Sequence, residues 1–289
     1  MPWLERLAFS TNAFKQTDVL GAVEAIARAG YAGVEVMADA PHLVPLDGDD
    51  PLIDAVTARA GILKTGIANV NAFTGFCHAK TGVGDTYHPT WIEEDAALRD
   101  LRVNHTLAAV EMAARLGART VSLQPGGPTI GTNLDWQTAA GRFAEGLSRV
   151  LPTAKRLGVT LAVEPEPGLF IQTAGEYARF KQEHFPHEDH VRMNLDIGHL
   201  FCVGDDVPGV IRSMAAEVAH VHLEDIKSNR VHQHHVPGDG AIDFPAIFAA
   251  LSDVQYAGWV TVELYPYENN AAGVAQRAIE HLRTLPGVG

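Results

Sequence analysis

The chain has 289 residues, of which 46% are hydrophobic and 20% charged, a balance that excludes a disordered chain and leaves room for one large α/β barrel or two smaller domains. Lys+Arg 22 against Asp+Glu 35 gives a net charge of −13, which excludes the basic stripe that nucleic-acid binders set against phosphates unless metals restore local positive charge.

Short apolar runs alternate along the chain with longer segments of helical period, which is the pattern of βαβ units. Arg6–Ser10 reads as the first strand. Val19–Ala29 follows as a helix, entered through Asp18 and left through Gly30. Gly33–Val36 is the second strand, and Gly61 marks the end of the next helix before a third strand at Thr65–Val70. Leu98–Leu116 is helical, capped by Gly117, and leads to a strand at Thr120–Leu123. Asp135 opens a helix over Trp136–Leu157, closed by Gly158 ahead of the strand Thr160–Glu164. Arg192–Asp196 is a strand, Val207–Ala215 a helix and His220–Leu223 a strand. Asp243 opens a helix over Phe244–Leu251, and Trp259–Glu263 is the last strand.

Eight strands with helices between them, and no linker or change of composition, predict a single-domain (β/α)8 TIM barrel over residues 1–289. A doubly wound open sheet is the competing architecture. It would normally carry a glycine-rich turn after the first strand, where this chain reads Ser10-Thr11-Asn12-Ala13-Phe14. Cys77 and Cys202 are too few for a disulfide framework or a thiolate zinc site and fit a reducing cytosol. The N-terminus has no basic region followed by an apolar run, and no stretch reaches the roughly 18 apolar residues of a span. A cytoplasmic protein with no membrane partner is expected.

A TIM barrel does its chemistry at the C-terminal ends of its strands. Four consecutive predicted strands end in polar residues: Glu164, Asp196, His222 and Glu263. A carboxylate closing a buried apolar strand is costly unless it is paired or binds a cation. The set suits one divalent metal. Its oxygen-rich, thiol-free donors favour Mn²⁺, with Mg²⁺, Co²⁺ or Zn²⁺ also compatible. A carboxylate network with Arg or His at the barrel mouth is the plainer reading of the same residues.

The sequence resembles the xylose-isomerase-like barrels, the sugar phosphate isomerase/epimerase superfamily that also contains endonuclease IV. The resemblance is carried by VEPEPG around Glu164, NLDIGH over Asp196–His199, HVHLED over His220–Asp225, GDGAIDF over Gly238–Phe244 and VELY at Glu263, together with the N-terminal LAFSTNAF and AGYAGVEV. It implies Glu164, Asp196, His222 and Glu263 as metal ligands, with Glu164 and Glu263 also the catalytic acid/base pair. It further implies that His199 binds substrate, as in the epimerases, or a metal, as in the nuclease branch. The expected activity is isomerisation or epimerisation of a small sugar or related polyhydroxy carbonyl compound through a metal-bound enediolate, one glutamate removing a proton and the other returning it. A dehydratase acting on a keto-sugar or keto-inositol is the alternative. A phosphodiesterase of endonuclease IV type is disfavoured by the charge and by Gln124, which stands where that branch has histidine. A binding module without catalysis would not need all four ligands.

His232 and His234 occupy the positions of an Asp-x-His pair of the nuclease branch. They read either as a polar loop against substrate or solvent, or, with His199, as a second metal site. Arg230 and Glu166 are candidate substrate-binding residues, with surface positions as their plainer reading. His78, His88 and Trp91 fall in a long segment after the third strand that suits a lid or an oligomer contact. Phe14, Phe73, Phe76 and Trp91 either wall a sugar pocket or pack in the core. The expected partner is a small polyhydroxylated substrate, without a phosphate because no Gly-rich phosphate loop or Arg/Lys cluster is evident. A homo-oligomer is compatible with the sequence.

Overall fold

In the computed structural model, which describes residues 3–48, 50–76, 87–127 and 134–288, parallel strands close on themselves in chain order. They are β1 (Leu7–Ser10), β2 (Gly33–Met37), β3 (Gly66–Asn71), β4 (Thr120–Leu123), β5 (Thr160–Val163), β6 (Val191–Asp196), β7 (Val218–Leu223) and β8 (Val260–Val262). β8 pairs with β1 and completes the barrel, so no strand edge is left open. The helices are α1 (Val19–Ala29), α2 (Asp50–Leu63), α3 (Ala96–Leu116), α4 (Trp136–Leu157), α5 (Ala174–His184), α6 (Ile197–Val203), α7 (Val207–Ser213), α8 (Phe244–Asp253) and α9 (Ala271–Arg283). This is the (β/α)8 TIM barrel that the alternation of runs predicted.

The outer helices bury one side against the strands, and α1 does so with an apolar stripe. On α1 the buried positions are Val19, Ala22, Val23, Ile26 and Ala29, which recur at helical spacing. The expected caps are in place. Asp18, Asp135 and Asp243 accept from Gly21, Thr138 and Ala246, and Gly30, Gly117 and Gly158 take the left-handed conformation. Gly61 departs from the expectation. It lies inside α2, with open space where a Cβ would be, and the left-handed residue is Lys64 at φ 56°. The C-terminal turn is closed there by Thr65 N–H on the Ala60 carbonyl at 3.1 Å, so the helix runs past the glycine. Among the described residues no helix is long and apolar enough to cross a membrane.

The register places the polar strand ends side by side. Asp196 of β6 pairs with His222 of β7, and Asn194 with His220. Glu164 follows β5 directly, with its N–H on the Leu123 carbonyl at 3.0 Å. Glu263 follows β8, with its N–H on the Leu223 carbonyl at 3.1 Å. Both glutamates therefore hang from backbone fixed by the neighbouring strand rather than from a free loop.

Candidate active site and metal centre

Glu164, Asp196, His222 and Glu263 are all buried, and each offers a donor atom within 4.8 Å of the others'. His222 is the hub. Its Nδ1 lies 2.8 Å from Glu164 Oε1, 3.7 Å from Glu263 Oε2 and 3.9 Å from Asp196 Oδ2. Asp196 divides its carboxylate between two tasks. Oδ1 accepts the His199 N–H at 2.7 Å and caps α6, while Oδ2 is buried without a hydrogen-bond partner. An orphaned carboxylate oxygen beside two more carboxylates and an imidazole is a donor set that fits a divalent cation.

The electrostatics agree. Burial pushes Glu164 above the usual carboxylate range, with Asp196 and Glu35 adding to it and His222 opposing. Burial raises Glu263 further, again against His222. Burial works against a charged His222, but Glu35, Glu164 and Glu263 overcome it and hold the imidazole well above its ordinary value. Asp196 goes the other way: burial would raise it, yet His199 and His234 keep it below the usual range.

A second cluster stands beside the first. His199, His232 and His234 offer donor atoms within 4.8 Å of one another, and His232 Nε2 is 3.3 Å from His234 Nε2. The Nδ1 of His199 meets the Pro165 carbonyl at 3.2 Å, and that of His234 the Glu263 carbonyl at 2.9 Å. A carbonyl only accepts, so Nδ1 carries the proton and Nε2 keeps its lone pair. Burial lowers His199 to about 4 and His234 to about 3, which leaves both rings neutral near pH 7. The donors of Asp196, Glu224 and His234 also converge within 4.8 Å, linking the two clusters.

A cavity of about 280 Å³ adjoins these residues, lined among others by Glu164, Glu166, His199, His232, His234 and Glu263. Glu166 is buried and accepts from the Tyr87 hydroxyl. Burial raises its carboxyl well above the ordinary range, and the charge of Glu164 adds to the shift. Phe73 and Phe76 line the cavity, whereas Phe14 and Trp91 are buried in the apolar core. Gln124 lines it too and donates to Glu164 Oε2 at 3.3 Å. Arg230 is elsewhere: it donates to the Phe201 carbonyl at 2.9 Å, its guanidinium lies 4.7 Å from the Phe201 ring centroid, and it is not among the lining residues. His88 pairs with Glu93, and His78 falls outside the described residues.

Several site residues had no assigned role in the sequence reading. Asn12 and Asn71 donate to Glu263 Oε1 at 2.7 and 3.4 Å. Lys15, Tyr87 and Tyr265 line the cavity. Glu35, His220 and Glu224 are buried at or below the cage. Glu35 interrupts the apolar run Val34–Val36, and His220 and Glu224 lie two residues either side of His222, on the same face of an extended strand. That period-2 spacing is the signal that would have flagged them.

The fold and the cage define a parallel (β/α)8 barrel with a metal-type donor cluster at the C-terminal ends of its strands. The chain belongs to the xylose isomerase-like TIM barrel family, whose model matches residues 23–285. It is similar to the inosose dehydratase of Clostridium perfringens, 32% identical over 145 residues that cover 45% of this chain and 47% of the relative. The chain thus spans about half the length of the curated relatives it matches. Its fold resembles that of the 3-keto-D-glucoside 4-epimerase of E. coli, with a TM-score of 0.78 and 18% identity over 96% of this chain and 99% of that one. It also resembles the IOLI protein with a bound zinc atom, with a TM-score of 0.77 and 18% identity over 98% of each chain.

Proposed function

We propose that the protein is a divalent-metal-dependent isomerase or epimerase of a small sugar or related polyhydroxy carbonyl compound. The observation that carries this reading is the convergence of Glu164, Asp196, His222 and Glu263 within 4.8 Å beside a cavity of sugar size. Those four residues would hold the cation. Mn²⁺ suits their three carboxylates and one imidazole, and Mg²⁺, Co²⁺ and Zn²⁺ are alternatives, zinc being the metal named for the IOLI structure. When bound, the metal would acidify a C–H bond beside a chelated carbonyl and stabilise the resulting charge.

Proton movement falls to the protein. Glu164 hangs from β5 and Glu263 from β8, so they approach the cavity from different sides of the barrel. One takes a proton from carbon and the other returns one. Asn12 and Asn71 donate to Glu263 Oε1 and fix the rotamer of that base. His199 and Glu166 would bind substrate hydroxyls. Arg230, turned towards Phe201, would need its loop to move before it joined them. His199, His232 and His234 are the candidate second metal site, with their Nε2 atoms as donors.

A second reading, dehydration of a keto-inositol, is favoured by the names of the sequence relatives and by Glu166. Glu166, whose carboxyl burial pushes well above the ordinary range, would give a proton to a β-hydroxyl that leaves as water while Glu164 or Glu263 takes the α-proton. The two readings part in one experiment. Mn²⁺-loaded protein is incubated in D₂O with ketoses, keto-inositols and abasic DNA, and the products are read by NMR and gel. Deuterium at the carbon next to the carbonyl, with carbon skeleton and formula intact, supports the isomerase. Loss of water supports the dehydratase, and strand cleavage of the DNA would sink both. In parallel, Asp196→Ala and His222→Ala should each lose most divalent-ion binding with unchanged far-UV circular dichroism, and full occupancy in both variants would remove the metal assignment.

A further inference from the structure

Below the four-residue cage lies a polar layer that the proposed chemistry does not use. Glu35 on β2, Asn69 on β3, Ser122 on β4, His220 on β7 and Thr261 on β8 are all buried, with at most 1% exposure. A carboxylate inside an apolar barrel carries a large desolvation cost, so its contacts should identify its use. Glu35 Oε2 lies 2.7 Å from His222 Nε2, accepts from Asn69 Nδ2 at 2.8 Å and stands 3.4 Å from His220 Nε2. Its neighbours are held in turn. Asn69 Nδ2 reaches Ser122 Oγ at 2.8 Å, and His220 Nε2 meets Thr261 Oγ1 at 2.9 Å.

The His222 ring spans the two layers. Nε2 points down to Glu35, while Nδ1 points up to Glu164, Glu263 and Asp196. An imidazole that gives a lone pair to a cation through one nitrogen carries its proton on the other, and the partner of that other nitrogen fixes which is which. We infer that Glu35 is a positioning residue for the metal centre: it accepts the Nε2–H of His222 and keeps that proton in place, so that Nδ1, which faces the cage, is the nitrogen that gives up its proton and offers its lone pair to a cation. The Asn69–Ser122 and His220–Thr261 pairs keep the Glu35 carboxylate at that nitrogen. This rests on the cage being a divalent-metal site. Glu35 itself is not among the residues that line the cavity, and it meets the cage through His222.

The inference separates from a merely structural role. A space-filling or purely hydrogen-bonding part would survive Glu35→Gln, which keeps the length and an acceptor oxygen. Loss of the negative charge behind a ligating histidine instead weakens the metal, by about 10–100-fold for supporting residues of this kind. The test uses the full chain labelled with ¹⁵N-histidine. Zn²⁺ affinity is measured by chelator competition for wild type and Glu35→Gln, and the His222 ring is read by long-range ¹H–¹⁵N NMR in the Zn²⁺-loaded wild type. The expected result is Nε2–H with Nδ1 on the metal, and about a 10–100-fold weaker affinity in the variant at unchanged circular dichroism. Wild type that binds Zn²⁺ through Nε2, or a folded Glu35→Gln that binds as tightly as wild type, overturns the inference alone. Wild type that binds no Zn²⁺ overturns the metal reading and the inference together. The ring spectrum decides the matter even where the variant does not fold.

Discussion

In the proposed reading Glu263 would serve as both ligand and base, and its surroundings suit the two tasks. Its Oε1 accepts from Asn12 and Asn71, at 2.7 and 3.4 Å, and its Oε2 faces His222 at 3.7 Å. The two oxygens therefore have different surroundings, one held by neutral amides and one aimed at the cage. Glu263→Gln keeps the shape and one acceptor oxygen but removes the basic site. Turnover should fall by about 10²–10⁴-fold, the usual span for a lost general base. Metal affinity should fall less than in Asp196→Ala, where an otherwise orphaned ligand oxygen disappears. Substantial turnover by a metal-loaded Glu263→Gln, measured beside its metal content, would exclude the two-glutamate route. The cage residues were legible because Glu164, Asp196 and Glu263 each close an apolar run and His222 stands at the corresponding height, one residue before the end of β7. Glu35 was not, because it stands alone within an apolar run, and His220 was signalled only by its period-2 spacing to His222. Asn12, Lys15 and Tyr87 come from loops, whose paths over the barrel mouth depend on tertiary contacts that no local pattern encodes.

The segment after β7 is organised by one buried acid. Asp225 Oδ2 accepts from the Gly238 and Gly240 N–H groups at 2.9 and 2.7 Å, and Oδ1 from Ile226 and Ile242 at 2.9 and 3.2 Å. Its backbone also pairs with His235 in an isolated antiparallel bridge. The loop bearing His232 and His234 is thereby tied to the barrel. Gly240 is required by this wrapping, since a Cβ there would come within 2.1 Å of Asp225 Oδ1 and 2.4 Å of the Ile226 carbonyl. Asp225→Ala strands one buried and three partly buried N–H donors at once. It should cost on the order of 2–4 kcal/mol, as desolvated donors at about 1–3 kcal/mol each partly recover through water. Chemical denaturation measures that loss, and a change under about 0.5 kcal/mol, the size of an ordinary surface substitution, would contradict the role. The helix caps at this scale could be read directly, because Asp18, Asp135 and Asp243 act on backbone three residues away. The clamp could not, since Asp225 and Gly240 are joined by a fold of the chain rather than by a helical turn.

For the whole molecule, the architecture was legible because strand and helix alternate along the chain and the turn after the first strand lacks the glycines of an open doubly wound sheet, although the helix Ala174–His184 between β5 and β6 was not read from the sequence. Closure of the barrel has an electrostatic consequence that no single unit shows. It brings Glu164, Glu166, Glu224 and Glu263 together in a buried volume, where desolvation first, and then neighbouring carboxylates, Asp196 among them in every case, raise all four above the ordinary carboxylate range. An acid whose pKa is higher folded than unfolded stabilises the fold while it is protonated, and that contribution is lost as pH rises through the folded value. His199 and His234 have the opposite sign. Held at about 4 and about 3, they favour the fold increasingly as pH rises towards the unfolded value of about 6.5, and contribute no further change above it. Above about pH 6.5 the raised carboxylates and His222, itself held well above its ordinary value, set the slope together and with the same sign, and the metal-free protein should lose stability with rising pH. A divalent cation competes with those same protons, so its affinity should rise over that range. Stabilisation by a bound ligand reaches about 2.7 kcal/mol at a hundredfold excess over Kd, and each further tenfold in affinity adds about 1.4 kcal/mol. The increase in Tm on adding Mn²⁺ should therefore grow as pH rises above about 6.5, as measured by calorimetry at fixed metal concentration. A constant or shrinking increment would mean that the raised carboxylates do not hold the cation, and that the charge of the cluster is balanced by protons instead.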